Sequence, residues 1–508
     1  MAIRGPQFDL RQVIVTGAHA IPPDAIASVY QPYLGKRVPV AALADIAIRI
    51  GDLYRDAGYH LSRAIVPPQD VRNGRVHIKV IEGAISQLVL EGNDLERFGI
   101  RAYLNDVLQE HPSRLATLER KMMLANNLPG VRIEDSAIEE IGPATGKFRL
   151  IVRLNAWRVF MAVATDNLGS ASVGPWQSYA TLALNSTFLP GDVLTASYST
   201  VPTEPRELGF GRLAYDAPVG ADGGRVGASA ILSEVRPGDI RWLSGDVTRT
   251  LSFEVRGSFV PWQSQLSTLI LSATFGFTDV SEGDMFGPIY NDHVRALALM
   301  ADYRLQDTLG GTNYITVMAR QGLGIFGASR VGDDLLSRDG ASGEFSVFGF
   351  WATRHQPLAD AWSMKFAAAG QFAAQPLLLS QQFYLGGASF GRAYDSAEVS
   401  GDNGLAGSLE LRFEQPLNDP FFKSYELYSF LESGVVWNND TAMLDGLSLT
   451  SAGGGMRVNL AGDLQAAVGI AVPLTYRSPT NDNRSLRFLF SLSSALKLCP
   501  SGARLACS

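Results

Sequence analysis

Two different spacings of apolar residues run along this chain, and one gives way to the other near residue 155. Before that point Val40, Leu43, Ala44, Ile46, Ala47, Ile50, Leu53 and Tyr54 recur every three or four positions, marking one buried face of a helix over 39–57. Gly58 is placed to stop that helix. A helix over 22–34 precedes it, a short strand covers 10–15 before Gly17, and strands over 59–66 and 75–81 follow, giving the order β-α-α-β-β. Residues 84–155 repeat the order, with a strand at 87–90 ended by Gly92-Asn93, helices over 95–109 and 113–127, and strands over 131–138 and 147–154. Two units with one element order, 8–83 and 84–155, imply tandem small α/β domains.

From 156 onward the helical period vanishes. Leu464, Ala466, Val468, Ile470, Val472 and Leu474 take every second position, as do Leu486, Phe488, Phe490 and Leu492, and Leu269, Leu271, Ala273, Phe275 and Phe277. The residues between them are mostly small or polar. One apolar and one small or polar face is what lipid outside and water inside require. Strand-like segments start near 157, 176, 191, 206, 225, 245, 265, 291, 311, 343, 361, 404, 424, 448, 463 and 485, which makes sixteen, the even number a closed barrel needs. Many are long enough to cross a bilayer at a tilt. Trp157, Trp176, Trp262, Trp437 and Tyr476 fall near segment ends, where interfacial aromatics belong. A soluble sandwich or propeller would usually have strands of about 5–6 residues.

Composition narrows the class further. Hydrophobic residues make up 46% of the chain, yet none of them form a run of about 18 residues, which excludes an all-helical membrane protein and leaves a barrel open. A net charge of −7 argues against nucleic acid as a partner. The only cysteines, Cys499 and Cys507, lie in the last ten residues, a depletion that suits passage through an oxidising compartment. They could close a terminal loop or be two free thiols. MAIRGPQFDL lacks the apolar core of a signal peptide, so an exported form would already have lost its signal.

The candidate chemistry sits in a long glycine-rich connection, 387–404. Gly391, Arg392, Ala393 and Tyr394 are followed there by Glu398 and by Ser400, Gly401 and Asp402. Loops of that length are usually functional or disordered. About forty residues on, Glu432 interrupts a largely apolar strand between Phe430 and Gly434. An arginine on a loop and a carboxylate on a strand suggest a charged pair inside something hollow. Gly387-Ala388-Ser389-Phe390-Gly391 also fits the G-x-S-x-G elbow of hydrolases, but that motif needs a strand-turn-helix context. None of the six histidines has a neighbour that suggests a triad, and no metal-ligand spacing or nucleotide-binding motif is present.

With these features in place, the chain resembles an outer-membrane transporter of two-partner secretion, the TpsB family that exports haemolysins and filamentous haemagglutinins. Three segments carry the resemblance. Residues 58–83 resemble the end of a first POTRA domain, including Ser62, Arg63, Pro67, Pro68, Gln69, Asp70 and the Glu82-Gly83 pair. Residues 391–404 resemble the sixth extracellular loop, usually Val-Arg-Gly-aromatic followed by Ser-Gly-Asp. Residues 430–434 resemble the wall motif Phe-x-Asp-x-Gly.

The resemblance implies two POTRA domains (8–83 and 84–155), a sixteen-stranded antiparallel transmembrane barrel (156–497) and a C-terminal tail (498–508). It further implies an outer-membrane monomer without cofactor or metal, its POTRA domains in the periplasm. Its partners would be a secreted TpsA-like exoprotein (a β-helical adhesin or haemolysin), outer-membrane lipid and, during biogenesis, the assembly machinery. Arg392 would pair with Glu432, and the exoprotein would dock as an added strand on a POTRA edge. The chain departs from the family pattern at Gly391, Ala393 and the longer Glu432, and in the tail beyond Leu496. An outer-membrane protein insertase is the runner-up reading, although insertases usually carry more POTRA domains. An outer-membrane esterase built on Ser389 is a remote third.

Overall fold

The computed structural model describes residues 7–92, 95–439, 446–475 and 486–498. Asn93, Tyr476, Cys499, Cys507 and the tail after Leu498 lie outside them. Two compact units meet at the Ala156–Trp157 bond, where the apolar spacing changes.

In the N-terminal unit the first module runs β1 (Gln7–Asp9), β2 (Gln12–Thr16), α1 (Pro23–Tyr30), β3 (Arg37–Pro39), α2 (Ala42–Asp56), β4 (Arg63–Ile65) and β5 (Arg75–Ile81). Its three-stranded sheet has the order β2-β5-β4, with β2 parallel and β4 antiparallel to β5. The expected helix face is buried through Leu43, Ile46, Ala47, Ile50 and Tyr54. Two expectations need correction. The helix expected to reach residue 34 ends at Tyr30, where Pro32 lacks the N–H that another α-turn would use and the chain tightens into a 3₁₀ turn. The strand expected over 59–66 shrinks to Arg63–Ile65, because Tyr59–Ser62 form turns off the end of α2. β1 and β3, which pair with each other, had no signal in the spacing.

The second module contains β6 (Ala84–Gly92), α3 (Ile100–Gln109), α4 (Leu115–Asn126), β7 (Val131–Glu140) and β8 (Lys147–Ala156). Its sheet order, β6-β8-β7, repeats the parallel-then-antiparallel pattern of the first. The modules are joined by main-chain bonds from Ser113 to Gly83 (3.0 Å) and from Leu115 to Gly58 (2.9 Å), and by the Arg63–Glu140 ion pair at 2.7 Å.

Glu82 is the polar hinge of the first module. One of its carboxylate oxygens accepts hydrogen bonds from the amides of His19 (2.6 Å) and Ala20 (2.7 Å) and from the Tyr54 hydroxyl (2.7 Å), tying the turn after β2 to α2. The next residue must be small: a Cβ on Gly83 would lie 2.2 Å from the Leu61 carbonyl oxygen. Burial pushes the Glu82 carboxyl up, but the three donors outweigh it and hold the group below the usual carboxylate range.

The C-terminal unit is a closed antiparallel barrel of sixteen strands. They are β9 (Val159–Asp166), β10 (Gln177–Asn185), β11 (Val193–Thr200), β12 (Leu208–Val219), β13 (Gly224–Val235), β14 (Val247–Gln263), β15 (Ser267–Asp284) and β16 (Gly287–Gln306), then β17 (Thr312–Gly322), β18 (Ser346–Ala359) and β19 (Trp362–Ala373). After two short loop strands, β20 (Phe383–Leu385) and β21 (Val399–Gly401), come β22 (Asn403–Pro416), β23 (Phe422–Trp437), β24 (Leu447–Leu460), β25 (Leu464–Pro473) and β26 (Arg487–Leu498). β26 pairs with β9 from Ser491↔Asp166 to Leu498↔Val159, so the barrel leaves no open edge. In lipid that closure is obligatory, since an unpaired N–H or C=O there has no water to turn to.

Alternation decides which way each side chain points. Val468, Ile470 and Phe488 are exposed on the outer face, as the period-two pattern required. Aromatic pairs mark the two rims, Trp362–Phe413 at one and Phe372–Trp437 at the other. Trp262 follows Pro261, which sits at a register shift in β14, a place where a missing ladder donor does no harm.

Glu82→Gln should destabilise the N-terminal unit by about 1–3 kcal/mol, read as lost amide protection in β5 of the intact chain. In the parent, the contribution of Glu82 should be complete above its ordinary value of 4.5 and lost as pH falls through its lower folded value.

Candidate functional site

The strands β19 and β22 are joined by a long connection, residues 374–402, here called L6. It lies at the same end of the barrel as the β9–β10 connection, residues 167–176 (L1). Rather than standing in solvent, L6 packs against the barrel wall. Leu385, Phe390, Tyr394 and Val399 are buried with Ala369, Ala406, Val436 and Leu449 of the strands. The Phe390 ring lies 5.2 Å from that of Trp351, and the Tyr394 hydroxyl donates to the Thr450 carbonyl at 3.0 Å.

Glu432 is 1% exposed and is the loop's anchor. Its Oε2 accepts the main-chain N–H groups of Gly391 (2.9 Å) and Arg392 (3.1 Å), while Nε and Nη2 of Arg392 each lie 2.7 Å from Oε1. The Arg392 guanidinium also reaches Glu410 Oε2 at 2.9 Å and lies over the Phe430 ring, 3.6 Å from its centroid. The departures from the family pattern fit this geometry. Gly391 has φ +99°, which L side chains rarely adopt, so glycine is the residue suited to turning its N–H toward the carboxylate. The extra methylene of glutamate carries the carboxylate to both amides as well as to the guanidinium.

The anchor belongs to a larger network that the sequence reading missed. Glu410 is bonded by Arg392, Arg412 and Arg457, and Glu426 pairs with Arg457. Three guanidiniums thus offset three carboxylates (Glu410, Glu426 and Glu432), which is how buried charge is tolerated. The signal was present as Glu410 and Arg412 two residues apart, between the outward-facing Leu409, Leu411 and Phe413.

Period two also explains the wall motif. Phe430, Glu432 and Gly434 all point inward because they are spaced by two, and in register they face Glu410, Ser408 and Ala406 of β22. Gly434 is required by the loop: a Cβ there would lie 2.8 Å from Cδ2 of the buried Leu385. Phe430 and Tyr428 in turn lie over glycines, since Cβ atoms on Gly453 and Gly455 would come within 2.6 and 2.7 Å of them.

The remaining candidates separate. Ser400 donates to Gln382 (2.7 Å), and Gly401 lets the chain pass Trp437, whose N would be 2.8 Å from a Cβ. Asp402 is fully buried but bonds Arg338, not Arg392. Ala393 packs beside the loop core, and Glu398 is half-buried against Gly386. Beyond the barrel, Ser62 accepts the Gly83 N–H, and Gln69 pairs through both ends of its amide with His77 of β5. Asp70 caps Arg72, Arg63 binds Glu140, and Pro67 and Pro68 follow β4. Ser389 is exposed in coil, with no helix after it. Among the described residues no cluster of three or more His, Cys, Asp or Glu is arranged for a metal ion.

A closed barrel of sixteen strands with an apolar outer face and an inward-folded L6, preceded by α/β modules, has the architecture of a membrane-spanning β-barrel. The family model "POTRA domain, ShlB-type" matches residues 8–83, and "Haemolysin secretion/activation protein ShlB/FhaC/HecB" matches 292–458. The heme/hemopexin transporter protein HuxB of Haemophilus influenzae is 22% identical over 93% of this chain and 84% of its own length. The outer membrane transporter CdiB of Escherichia coli is 29% identical over 36% of this chain and 31% of its own. The solved structure of CdiB from Escherichia coli superposes with TM-score 0.79 at 20% identity, covering 97% of this chain and 91% of that one. The chain thus carries the ShlB-type POTRA domain and the ShlB/FhaC/HecB domain of the outer-membrane transporters of two-partner secretion.

Arg392→Ala is expected to cost the folded barrel about 3–5 kcal/mol, because it leaves Glu432 buried without its cation, while Glu410 keeps Arg412 and Arg457. The Arg392→Ala/Glu432→Ala double variant should lose little more than the first change alone, measured as the urea midpoint of the heat-modifiable form. Exchanging the two charges should not rescue, since an arginine at 432 would face the N–H groups of residues 391 and 392. Gly434→Val should expose L6 to protease, and adding Leu385→Ala should partly reverse this.

Proposed function

We propose that this chain captures a partner exoprotein on its N-terminal unit in the periplasm and passes it through the barrel to the cell surface, with Arg392 holding L6 inside the lumen. The observation that carries the reading is the buried grip of Glu432 on the backbone and guanidinium of L6. A connecting loop has no need to be bound to a transmembrane wall, whereas a loop that shapes a conduit does.

The second module, 84–155, is read as a second POTRA domain because its sheet order and helix placement repeat those of the first. Its edge strand β7 offers the capture surface. It has ten residues against three in β4, and most of its side chains are exposed. An extended segment added there would gain main-chain hydrogen bonds along its length. The relatives HuxB and CdiB, as transporters, favour export of a protein partner; a TpsA-like β-helical exoprotein fits, and its folding outside would draw transport outward. A single chain closes the barrel, so a monomer suffices.

A photo-crosslinker at Ala137 in β7 should capture the partner's N-terminal region during secretion, whereas one at Arg101 on α3 should not. Secretion that persists with no cross-link along β7 would refute the capture site.

A further inference from the structure

Asp402 has the burial of an anchor and no part in the Arg392 network. It is fully buried, and its carboxylate is saturated. Both Nη atoms of Arg338 reach it, one to each oxygen. The N–H of Leu377 donates to Oδ1 and that of Asn439 to Oδ2, each at 2.9 Å, while the Asp402 N–H donates to the Asn438 side chain at 3.1 Å.

Three surface connections therefore meet at one carboxylate. Arg338 lies on the β17–β18 connection, residues 323–345 (L5); Leu377 and Asp402 are the two ends of L6; Asn438 and Asn439 follow β23. L5 is itself laid along the wall, with Ser337 N–H donating to Asp292 (3.0 Å) and Ser337 Oγ accepting from Leu379 of L6 (3.0 Å). Arg338 donates further to the Leu377 carbonyl at 3.0 Å.

We propose that Arg338 is a positioning residue for secretion: paired with Asp402, it fixes the outer end of L6 and ties L5, L6 and the Asn438-Asn439 pair into one cover at the extracellular mouth. L6 is then held at its middle and tip by Glu432, Thr450 and Arg487, and at its outer end by Asp402. The inner holds leave the outer end of the loop free to swing, and the Asp402 pair removes that freedom. Loss of the inner hold strands charge within the wall. Loss of the outer hold leaves the wall network whole and frees the cover. A lysine at 338 keeps the charge but not the two-pronged grip. The inference rests on the reading of the barrel as a conduit.

The test is single-channel recording of the full-length protein in planar bilayers without partner. Arg338→Ala should at least double the fraction of time spent open relative to the parent, Asp402→Asn should match it, and Arg338→Lys should fall between. All should keep the heat-modifiable migration of a folded barrel. Parent-like currents from folded Arg338→Ala would overturn the proposal. Should that variant fail to assemble, Arg338→Lys decides on the same readout, and parent-like currents again overturn it. Secretion of the partner by the parent protein, assayed separately, bears on the conduit reading alone; its failure would leave an altered current at Arg338 standing.

Discussion

A carboxylate taken out of water must be given donors, and Glu432 takes them from a loop rather than from its own strand. Two backbone N–H groups and the Arg392 guanidinium converge on it from L6. That one requirement fixes where the loop crosses the lumen and which face of β23 must be polar. It also explains why glycine occupies 391, where the backbone turns, and 434, where Leu385 presses on the wall. Removing any donor leaves charge buried in a place where water is scarce, so the loop and the wall hold their shape together.

The barrel supplies what such a site needs, a rigid register. Because side chains alternate, a slip of one residue in β23 would turn Glu432 toward lipid and Leu431 into the lumen. Closure between β9 and β26 fixes that register around the ring. The tip of L6 also touches this closure: Asp395 accepts the Ala171 N–H at 3.0 Å and pairs with Arg487 at 3.4 Å, while Arg487 donates to the Gly169 carbonyl at 2.8 Å. L6 therefore also reaches the last strand, through Arg487, and L1, the connection that follows the first strand.

Much of this was readable from residue spacing, and the failures have physical causes. Period two located all sixteen strands within a few residues, because lipid enforces alternation more strictly than a soluble core does. The α2 face was legible for the corresponding reason at period 3.6. β1 and β3 were not, since three-residue strands bury too little to leave a pattern. The Arg392–Glu432 contact was anticipated from resemblance. Glu410, Glu426 and Arg457 were passed over because they meet across β22, β23 and β24, and register is settled by closure of the whole sheet; the Glu410–Arg412 pair within β22 was the local signal. Arg338 was invisible for a similar reason: Asp402 meets it across 64 residues, between two irregular loops.

The claim on which the rest depends is that the Glu432 grip keeps L6 inside the lumen. Pulsed electron paramagnetic resonance between spin labels at the exposed Ser396 of L6 and at Leu309, in the turn between β16 and β17, measures this directly. The account predicts one narrow distance distribution in the parent and a broad, longer one in Arg392→Ala. The same narrow distribution in both proteins would contradict it.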